Sequence, residues 1–373
     1  MSSRGIECTR CVMADDAAGI FFDESGKCNY CTQMLARLET LRTLDDVELS
    51  SRRAALVNRI REAGRGNQYD CIVGVSGGAD SAYALYLARE SGLRPLAVHM
   101  DNGWNSELAV NNIENLVRKL DVDLYTYVVD WREYCALQQA FFDADVIDIE
   151  LLYDNAMLAV NYRLAAKYGL RYILSGSNTS TEGMRVPRNY NWNKFDRRNI
   201  LDIARHADAT VKSLPTISVL SYVWHRAARG RLWVPFLDYI DYQKQHCIDT
   251  LVRQVGYRPY PYKHYESVFT RFYQGYLLPV KFGIDKRRMH FSSLICSGQM
   301  ERADAVALLE HSPYPDEDDL HADIEYFLKK MDWTQDKLSE YLARPARSHA
   351  TFASEAALYE RLLDLQKRYF STY

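Results

Sequence analysis

Residues 69–92 read YDCIVGVSGGADSAYALYLARESG, and this stretch decides the fold of the chain. Its first seven residues are mostly apolar and β-branched, which predicts a buried parallel strand. From Asp80 to Glu90 the apolar residues recur at helical spacing, and Gly92 marks the end of a helix. Between them, residues 76–81 form a Gly-rich turn. Such a turn makes an anion site, because backbone N–H groups and the helix N-terminus point into it.

This turn differs from the common phosphate-binding loop, which requires a lysine after its last glycine; no lysine follows Gly78. The hexapeptide SGGADS instead resembles the SGGxDS loop of the PP-loop ATP pyrophosphatases. The resemblance implies that ATP binds here and that Asp80 helps to hold Mg²⁺. The residues that it places against the phosphates are Ser76, Gly77, Gly78 and Ser81. The alternative is a Gly-Gly turn without a ligand.

The composition is that of an ordinary globular protein. The chain has 373 residues, a net charge of −3 and 47% hydrophobic residues, which suggests two or three units and argues against a polybasic nucleic-acid binder. The N-terminus lacks a signal-peptide core, and the longest uncharged run, residues 214–224, is too short to cross a bilayer. We therefore expect a cytoplasmic protein with no membrane span.

The motifs CTRC and CNYC between residues 8 and 31 form a C-x₂-C…C-x₂-C pattern. This spacing predicts a zinc ribbon, because each pair lets two thiolates reach one tetrahedral Zn²⁺. The predicted ligands are Cys8, Cys11, Cys28 and Cys31. Four cysteine ligands close the coordination sphere, so the zinc should be structural; free cysteines or two disulfides are the alternative. The scattered cysteines, predicted to be reduced core residues, are Cys71, Cys135, Cys247 and Cys296.

Strands and helices alternate after residue 69. Further strands are predicted at residues 94–100, 124–129 and 171–175, and helices at residues 106–120 and 153–168. This alternation predicts an α/β fold with a parallel sheet covered on both faces. Ligands in such sheets bind at the carboxyl ends of strands, where residues 76–81, 101–104 and 176–179 form polar loops.

The PP-loop resemblance also implies the remainder of an ATP site. The further residues that it places around ATP are Gly74, Met100, Asp101, Ser175 and Gly176. Asn178 and Glu182 are candidates for a metal or substrate contact, and each could equally be a loop cap or turn residue.

Residues 176–199 are basic and aromatic without a helical or strand period. The segment could be a lid over an anionic substrate, with Arg185 as a substrate contact, or a solvated loop. Its basic residues are Arg185, Arg188, Lys194, Arg197 and Arg198.

Residues 264–302 begin as an amphipathic helix that we expect to break at Pro279. A basic cluster follows, which can hold phosphate or pyrophosphate but is also typical of a solvated face. Its members, taken as candidate catalytic residues together with Asp80, are Lys281, Lys286, Arg287 and Arg288. The tail shows helical patterns at residues 320–330, 333–342 and 355–368.

Three stretches together resemble one family: CTRC…CNYC, VSGGADS and KFGIDKRRMHFSSLICSGQM. They are similar to the N-acetyl sugar amidotransferases of surface-polysaccharide (LPS O-antigen) and nonulosonic-acid biosynthesis, including flagellin and legionaminic-type glycans. Matching segments extend to about Glu310. The resemblance implies transfer of AMP from ATP to the acetamido oxygen of an N-acetylated, nucleotide-linked sugar. Ammonia then displaces AMP and leaves an acetamidino sugar.

The resemblance further implies that ammonia comes from separate glutaminase and ammonia-channel subunits similar to those of the histidine pathway. The sequence shows no glutaminase nucleophile of its own and leaves a homo-oligomer open. The carrier and the identity of the sugar stay open as well. His99, His264 and His290 are candidates for a general base by residue type only, and each could be structural.

The fold class expected is therefore α/β of the adenine-nucleotide α-hydrolase-like (PP-loop) type. Residues 1–35 would form the zinc ribbon, 36–68 a helical linker, 69–240 the ATP-binding domain and 241–373 a mainly helical substrate or partner region. A tRNA-thiolating enzyme shares the first two motifs and is the alternative function. A non-catalytic ATP-binding scaffold is a third hypothesis.

Overall fold

A five-stranded parallel sheet lies at the centre of the computed structural model, which describes residues 5–43, 45–260, 265–314 and 316–370. The strand order is β3-β2-β1-β4-β5, and every neighbouring pair is parallel. The strands are β1 Cys71–Gly74, β2 Pro95–Asp101, β3 Leu124–Val128, β4 Tyr172–Ser175 and β5 Leu232–Pro235. The parallel α/β fold predicted from the sequence is confirmed, and β5 is a strand that the sequence did not reveal.

Two helices connect the N-terminal segment to the sheet, and six more accompany the first four strands. Their bounds are α1 Asn29–Arg42, α2 Asp46–Ala63, α3 Ala79–Glu90, α4 Glu107–Leu120, α5 Trp131–Asp143, α6 Leu151–Lys167, α7 Thr179–Glu182 and α8 Arg197–His206. The predicted helices after β1, β2 and before β4 correspond to α3, α4 and α6. The helix α5 was not predicted.

The remaining helices follow from residue 219 onward. They are α9 Val219–Val223, α10 Lys244–Val255, α11 Val268–Phe272, α12 Leu278–Phe282, α13 Arg287–Ser297, α14 Arg302–Leu309, α15 Glu317–Met331, α16 Gln335–Ala343 and α17 Ala356–Phe370. Single π turns occupy Trp224–Ala228 and Tyr273–Leu277, and 3₁₀ turns occupy Phe236–Tyr239 and His349–Thr351. The three predicted tail helices correspond to α15, α16 and α17.

The expected helix break at Pro279 is wrong. Helix α11, the π turn and α12 run without interruption to Phe282, where Gly283 ends the helix at φ +66°. The wider π turn lies just before the proline. Such a turn shifts the hydrogen-bond register, so the helix can accommodate a residue that has no N–H.

Aromatic packing joins the C-terminal helices to the sheet. Trp104, at the end of the loop after β2, is fully buried and contacts the rings of Phe269 and Phe327. Lys330 of α15 lies 5.0 Å from the centre of the Trp104 ring and donates a hydrogen bond to the Gly103 carbonyl. The C-terminal region therefore fixes a loop at the carboxyl edge of the sheet.

The predicted boundary at residue 240 crosses a shared core. Helix α10 packs against α3 and α4, and its Leu251 and Val255 belong to the same buried cluster as Val73 of β1. The domain boundaries stay predictions, while the packing on this side of the sheet is continuous.

The basic segment of residues 176–199 is packed into the fold at its C-terminal end, so it is not a solvated loop there. Lys194 Nζ lies 2.7 Å from Asp148 Oδ2 and 2.8 Å from Asp154 Oδ2. Burial opposes the charge of Lys194, but these two carboxylates outweigh it and raise the pKa of the ammonium. Asp148 also accepts the Trp192 N–H at 2.6 Å.

Replacing Lys194 with Met should lower the free energy of unfolding by about 3–5 kcal/mol, because Asp148 would keep a buried charge without its cation. Lys212→Met is the control, since that lysine is exposed. Urea unfolding followed by circular dichroism measures both variants. If both variants lose the same free energy of unfolding, or if Lys194→Met loses less than about 1 kcal/mol, the ion pair does not stabilise this segment.

Candidate active site

The SGGADS loop connects β1 to α3, and hydrogen bonds between its own serines stabilise its shape. The hydroxyls of Ser76 and Ser81 are 3.1 Å apart, and the Ser76 N–H donates to Ser81 Oγ at 3.1 Å. The Gly78 N–H donates to Ser76 Oγ at 3.3 Å. Helix α3 begins at Ala79 with no side chain capping it. The loop is thus held open around the positive end of a helix, which favours an anion.

Two glycines allow the loop to approach its neighbours. Gly77 has φ +89°, and a Cβ there would lie 2.9 Å from Ala109 Cβ. A Cβ on Gly176, at the end of β4, would lie 2.5 Å from both the Asp80 carbonyl carbon and the Ser81 nitrogen. Because real Cβ atoms do not tolerate such distances from backbone, only glycine lets the residue after β4 approach the first turn of α3 this closely.

The SGGADS loop, the start of α3 and the residues that follow β4 border a cavity of about 490 Å³, here called the loop cavity. The predicted residues that line it are Gly74, Ser76, Gly78, Asp80, Ser81, Met100, Ser175, Gly176 and Glu182. Its apolar wall contains Val98, Met100, Met157 and Trp233. One cavity therefore joins an anion-binding loop, carboxylates and an apolar surface, as a nucleotide requires.

Four of the residues predicted to contact ATP or substrate lie outside the wall of the loop cavity. Gly77 turns its carbonyl toward two tyrosines, and the Asp101 carboxylate accepts the N–H of Gly103 at 2.8 Å. Asn178 caps α7 by accepting the Thr181 N–H at 2.8 Å. Arg185 lies over the Tyr30 ring, 5.8 Å from its centre. Of these, Asp101 and Asn178 shape the loops beside the cavity.

Tyrosines from the later part of the chain complete the loop. The Tyr242 hydroxyl donates a short hydrogen bond to Asp80 Oδ1, and the hydroxyls of Tyr257 and Tyr260 donate to the Gly77 carbonyl at 3.2 and 3.1 Å. Burial raises the pKa of the Tyr260 phenol to about 12, so it stays a hydrogen-bond donor. No sequence motif marks these residues, since tyrosine is also common in cores and interfaces.

The predicted basic cluster does not exist as a cluster. The fully buried side chain of Lys281 donates to the Arg344 carbonyl at 2.8 Å and pairs with Asp145 at 3.0 Å. Arg288 pairs with Glu7 at 2.9 Å. Successive positions on helices point in different directions, so neighbours in sequence separate in space. In this structure Lys281 and Arg288 therefore stabilise the fold through these contacts.

Lys286 and Arg287 share a second cavity. It has a volume of about 390 Å³, is lined on one side by α13 and is called the α13 cavity below. Neither residue lines the loop cavity, so the structure does not bring them to the phosphate-binding loop. Glu182 lines both cavities.

The candidate general bases have different surroundings. His99 Nδ1 lies 2.9 Å from the Val75 carbonyl and Nε2 lies 2.9 Å from Asn105 Nδ2. Burial lowers the pKa of His99, so it is neutral and positions the loop after β2. His290 lines the α13 cavity. His264 lies outside the described residues.

The four N-terminal cysteines lie together, and their thiol sulfurs are all within 4.8 Å of one another. Cys8 and Cys31 Sγ are 3.8 Å apart, and Cys11 and Cys28 Sγ are 3.6 Å apart. These separations match the edge of a ZnS₄ tetrahedron, about 3.8 Å for a Zn–S bond of about 2.3 Å. Hydrogen bonds with Cys11 and Cys28 lower the pKa of the Cys8 thiol to about 6. The cluster can hold a metal ion.

Helix α13 connects this cluster to the α13 cavity. One side contacts the cysteine-rich N-terminal segment, where Ser292 Oγ accepts the backbone N–H of Val12 at 3.2 Å and Cys296 joins the buried cysteine cluster. Other positions of α13, including His290 and Ser293, line the α13 cavity. The Ser293 hydroxyl also accepts the Met184 N–H at 3.2 Å, beyond α7. The cysteine cluster is therefore part of what positions the cavity wall.

The parallel sheet places the chain in the α/β class, and the SGGADS loop at its carboxyl edge resembles the loop of the PP-loop proteins. Residues 266–366 match the family described as "LPS biosynthesis protein WbpG-like, C-terminal domain". That region is therefore similar to the C-terminal domain of an LPS biosynthesis protein, in agreement with the resemblance to surface-polysaccharide enzymes.

A curated relative, an uncharacterized protein of Methanocaldococcus jannaschii, is 31% identical over 112 residues. That alignment covers 30% of this chain and 39% of the relative, so the chain spans well under half of the relative's length.

Several solved structures are weakly similar. An NH₃-dependent NAD synthetase from Campylobacter jejuni is 13% identical, with a TM-score of 0.31, over 44% of this chain and 74% of that one. An NMN synthetase from Francisella tularensis is 15% identical, with a TM-score of 0.29, over 58% and 99%. TM-scores this low carry no argument about a shared fold or function.

No helix within the described ranges is long and apolar enough to cross a membrane. The eight cysteines, all of which lie in those ranges, are free of disulfides. Of the scattered cysteines, Cys71, Cys247 and Cys296 are buried and Cys135 is half-buried, and their reduced state stays a prediction.

Replacing Gly176 with Ala should destabilise the protein by more than about 1 kcal/mol, because its Cβ would clash with the backbone of the loop. Gly74→Ala is the matched control, since the nearest atom to its Cβ would be Asn161 Oδ1 at 3.7 Å. Thermal unfolding compares the two variants. A Gly176→Ala protein as stable as Gly74→Ala would contradict the close approach.

The wild-type protein should carry about one tightly bound zinc ion per chain, and Cys28→Ser should remove most of it. Cys135→Ser is the control, because Cys135 lies on α5 away from the cluster and contacts Met331. Elemental analysis measures the zinc, and hydrogen exchange reports on α13. We expect faster exchange in α13 only for Cys28→Ser. Unchanged zinc content in that variant would exclude the cysteine cluster as the binding site.

Proposed function

We propose that this chain is an ATP-dependent, AMP-forming amidotransferase that converts the acetamido group of a sugar to an acetamidino group in surface-glycan biosynthesis. The observation that carries the proposal is that an SGGxDS-type loop and a WbpG-like C-terminal domain occur in one chain. The loop cavity would take ATP, and the adjoining α13 cavity shares Glu182 with it.

The loop cavity fits ATP and Mg²⁺. Its volume of about 490 Å³ lies in the ordinary range for a small-molecule site, and its apolar wall suits an adenine ring. The positive N-terminal end of α3, which the loop surrounds, suits the phosphates. Carboxylates of Asp80 and Glu182 line the same cavity, and oxygen ligands are those that Mg²⁺ prefers. When bound, Mg²⁺ supplies positive charge against the phosphate oxygens.

The oxygen of an amide is a poor leaving group, and transfer of AMP to it turns it into a good one. The acetamido oxygen attacks the α-phosphorus of ATP, the bond from that phosphorus to the pyrophosphate oxygen breaks, and the amide loses its N–H proton. Ammonia then attacks the imidate carbon. The C–O bond breaks with its electron pair going to AMP, and proton loss from the new nitrogen leaves an amidine.

This chain contributes position and charge more than covalent chemistry. The residues 76–81 loop would hold the β,γ-pyrophosphate and stabilise it as it leaves, which is a preorganised electrostatic effect. Tyr242 fixes the Asp80 carboxylate through its short hydrogen bond. Tyr257 and Tyr260 donate hydrogen bonds to the Gly77 carbonyl, which helps to hold the loop in position.

Ammonia would come from a separate glutaminase subunit, and this partnership, like a cytoplasmic location, remains a prediction. Purified chain supplied with ammonium salt should therefore be active without glutamine. No observation favours the tRNA-thiolating alternative, since no cysteine lines the loop cavity or the α13 cavity.

Mass spectrometry tests the proposal. Purified protein is incubated with ATP, Mg²⁺, ammonium salt and a panel of N-acetylated nucleotide sugars and nonulosonic acids. We expect one acceptor to exchange oxygen for NH while AMP and pyrophosphate appear. AMP formation only after addition of unmodified tRNA and a sulfur donor would replace the proposal with a thiolating enzyme. No AMP under either condition would favour a scaffold.

Asp80→Asn should lower the rate of AMP formation by about 100-fold or more, because the carboxylate charge beside the phosphates is lost. Asp241→Asn is the control, since Asp241 is exposed and does not line the loop cavity. Both rates are measured with the acceptor that the panel identifies. If the two variants form AMP at comparable rates, Asp80 does not take part in the reaction.

A further inference from the structure

We propose that the α13 cavity is the acceptor site and that it selects an N-acylated sugar carrying an anionic group, held by Lys286. This inference rests on the proposed function, because it assumes that ATP occupies the loop cavity. The two cavities meet at Glu182. An acceptor in the α13 cavity can therefore present its reacting amide at Glu182, toward the α-phosphate.

The position of Glu182 is fixed by the fold. It ends the short helix α7, whose first residue, Thr179, donates its N–H and hydroxyl to the Asp238 carboxylate at 2.6 and 2.9 Å. A Cβ on the following Gly183 would lie 3.1 Å from Met34 Cε of α1. The wall between the cavities is thus held from both sides, which keeps two substrates in a constant relation.

The wall of the α13 cavity has the chemistry of a carbohydrate site. Asn191 and Gln274 offer amides, which can donate to and accept from sugar hydroxyls and an acetamido group. Tyr265, Phe291 and Tyr314 offer aromatic surfaces for the apolar faces of a sugar ring. A volume of about 390 Å³ lies within the range of small-molecule sites.

Among the described residues, three side chains with a permanent positive charge line this cavity, and two of them are paired within the fold. Arg271 forms a bidentate pair with Asp323, and Arg287 forms one with Asp285 at distances of 2.7–3.1 Å. Each guanidinium is thereby neutralised and oriented. Their charges are balanced before any ligand binds.

Lys286 differs from these two arginines. Its Nζ lies 3.6 Å from Glu150 Oε2, which is beyond hydrogen-bond distance, although its side chain is only 17% exposed. It also lies 5.6 Å from the centre of the Tyr273 ring. Lys286 thus forms an ion pair with Glu150 without a hydrogen bond, and Asp148 is a second carboxylate that interacts with its charge. An ammonium that is mostly removed from water, is not fixed by a bidentate pair and lines a cavity is suited to an anionic ligand group.

The orientation of the acceptor follows from these positions. Lys286 lines the α13 cavity but not the loop cavity, whereas Glu182 lines both. The anionic group therefore lies away from ATP and the amide lies toward it. A carboxylate on the sugar or the phosphate of a nucleotide carrier would satisfy Lys286 equally, since both accept charge-assisted hydrogen bonds.

Isothermal titration calorimetry in the presence of a non-hydrolysable ATP analogue tests this assignment. The probes are N-acetylneuraminic acid, which has a carboxylate, UDP-N-acetylglucosamine, which has a diphosphate, and neutral N-acetylglucosamine. At least one charged probe should bind about tenfold or more tightly than the neutral sugar, and the stronger of the two identifies the source of the charge. Lys286→Met should weaken the binding of that probe by about 10- to 100-fold without changing the affinity for the ATP analogue.

Lys329→Met is the matched control, because Lys329 is exposed and lines neither cavity. Lys286→Arg keeps the charge and should keep the preference for the charged probe, which separates recognition from folding. Equal binding of charged and neutral probes, no loss in Lys286→Met, or no probe binding while the ATP analogue binds would overturn the assignment. In a separate assay, ATP, Mg²⁺ and ammonium salt replace the analogue; tight binding of a charged probe with no AMP formed there would count against the proposed function and leave the binding site assigned to this cavity.

Discussion

The contact between Gly176 and the peptide that joins Asp80 to Ser81 is the constraint on which the site depends. It places the end of β4 directly against the Gly-rich loop after β1, so that two loops from adjacent parallel strands form one wall. The separation leaves no room for a side chain. Everything proposed for the loop cavity, including the approach of a nucleotide to the helix N-terminus, requires these two backbones to stay in contact.

Helix α13 extends this arrangement to the N-terminus. It contacts the cysteine cluster on one side and lines the second cavity on another, while Ser293 reaches Met184 just after α7. A structural metal would therefore act at a distance from the chemistry, by holding the wall against which the acceptor rests.

Local patterns in the sequence predicted the parts of the fold that depend on local signals. The SGGADS turn, three of the four other parallel strands and the paired cysteines are all encoded within short stretches. Helix α5 was missed although Asp130 caps it, whereas β5 is four residues long and ends in proline, so it shows no period. Tyr242, Tyr257 and Tyr260 reach the loop only through tertiary packing. The basic residues between Lys281 and Arg288 were wrongly predicted to cluster for a similar reason. Their closeness in sequence does not show in which direction each side chain points.

The most direct test of the account follows the acetamido oxygen. The acceptor identified by mass spectrometry is prepared with heavy oxygen in its acetamido group and turned over with ATP, Mg²⁺ and ammonium salt. If AMP is transferred to that oxygen, the label must leave with AMP, while pyrophosphate and water stay unlabelled. Label in water or pyrophosphate, with AMP unlabelled, would contradict adenylation of the amide and with it the proposed reaction.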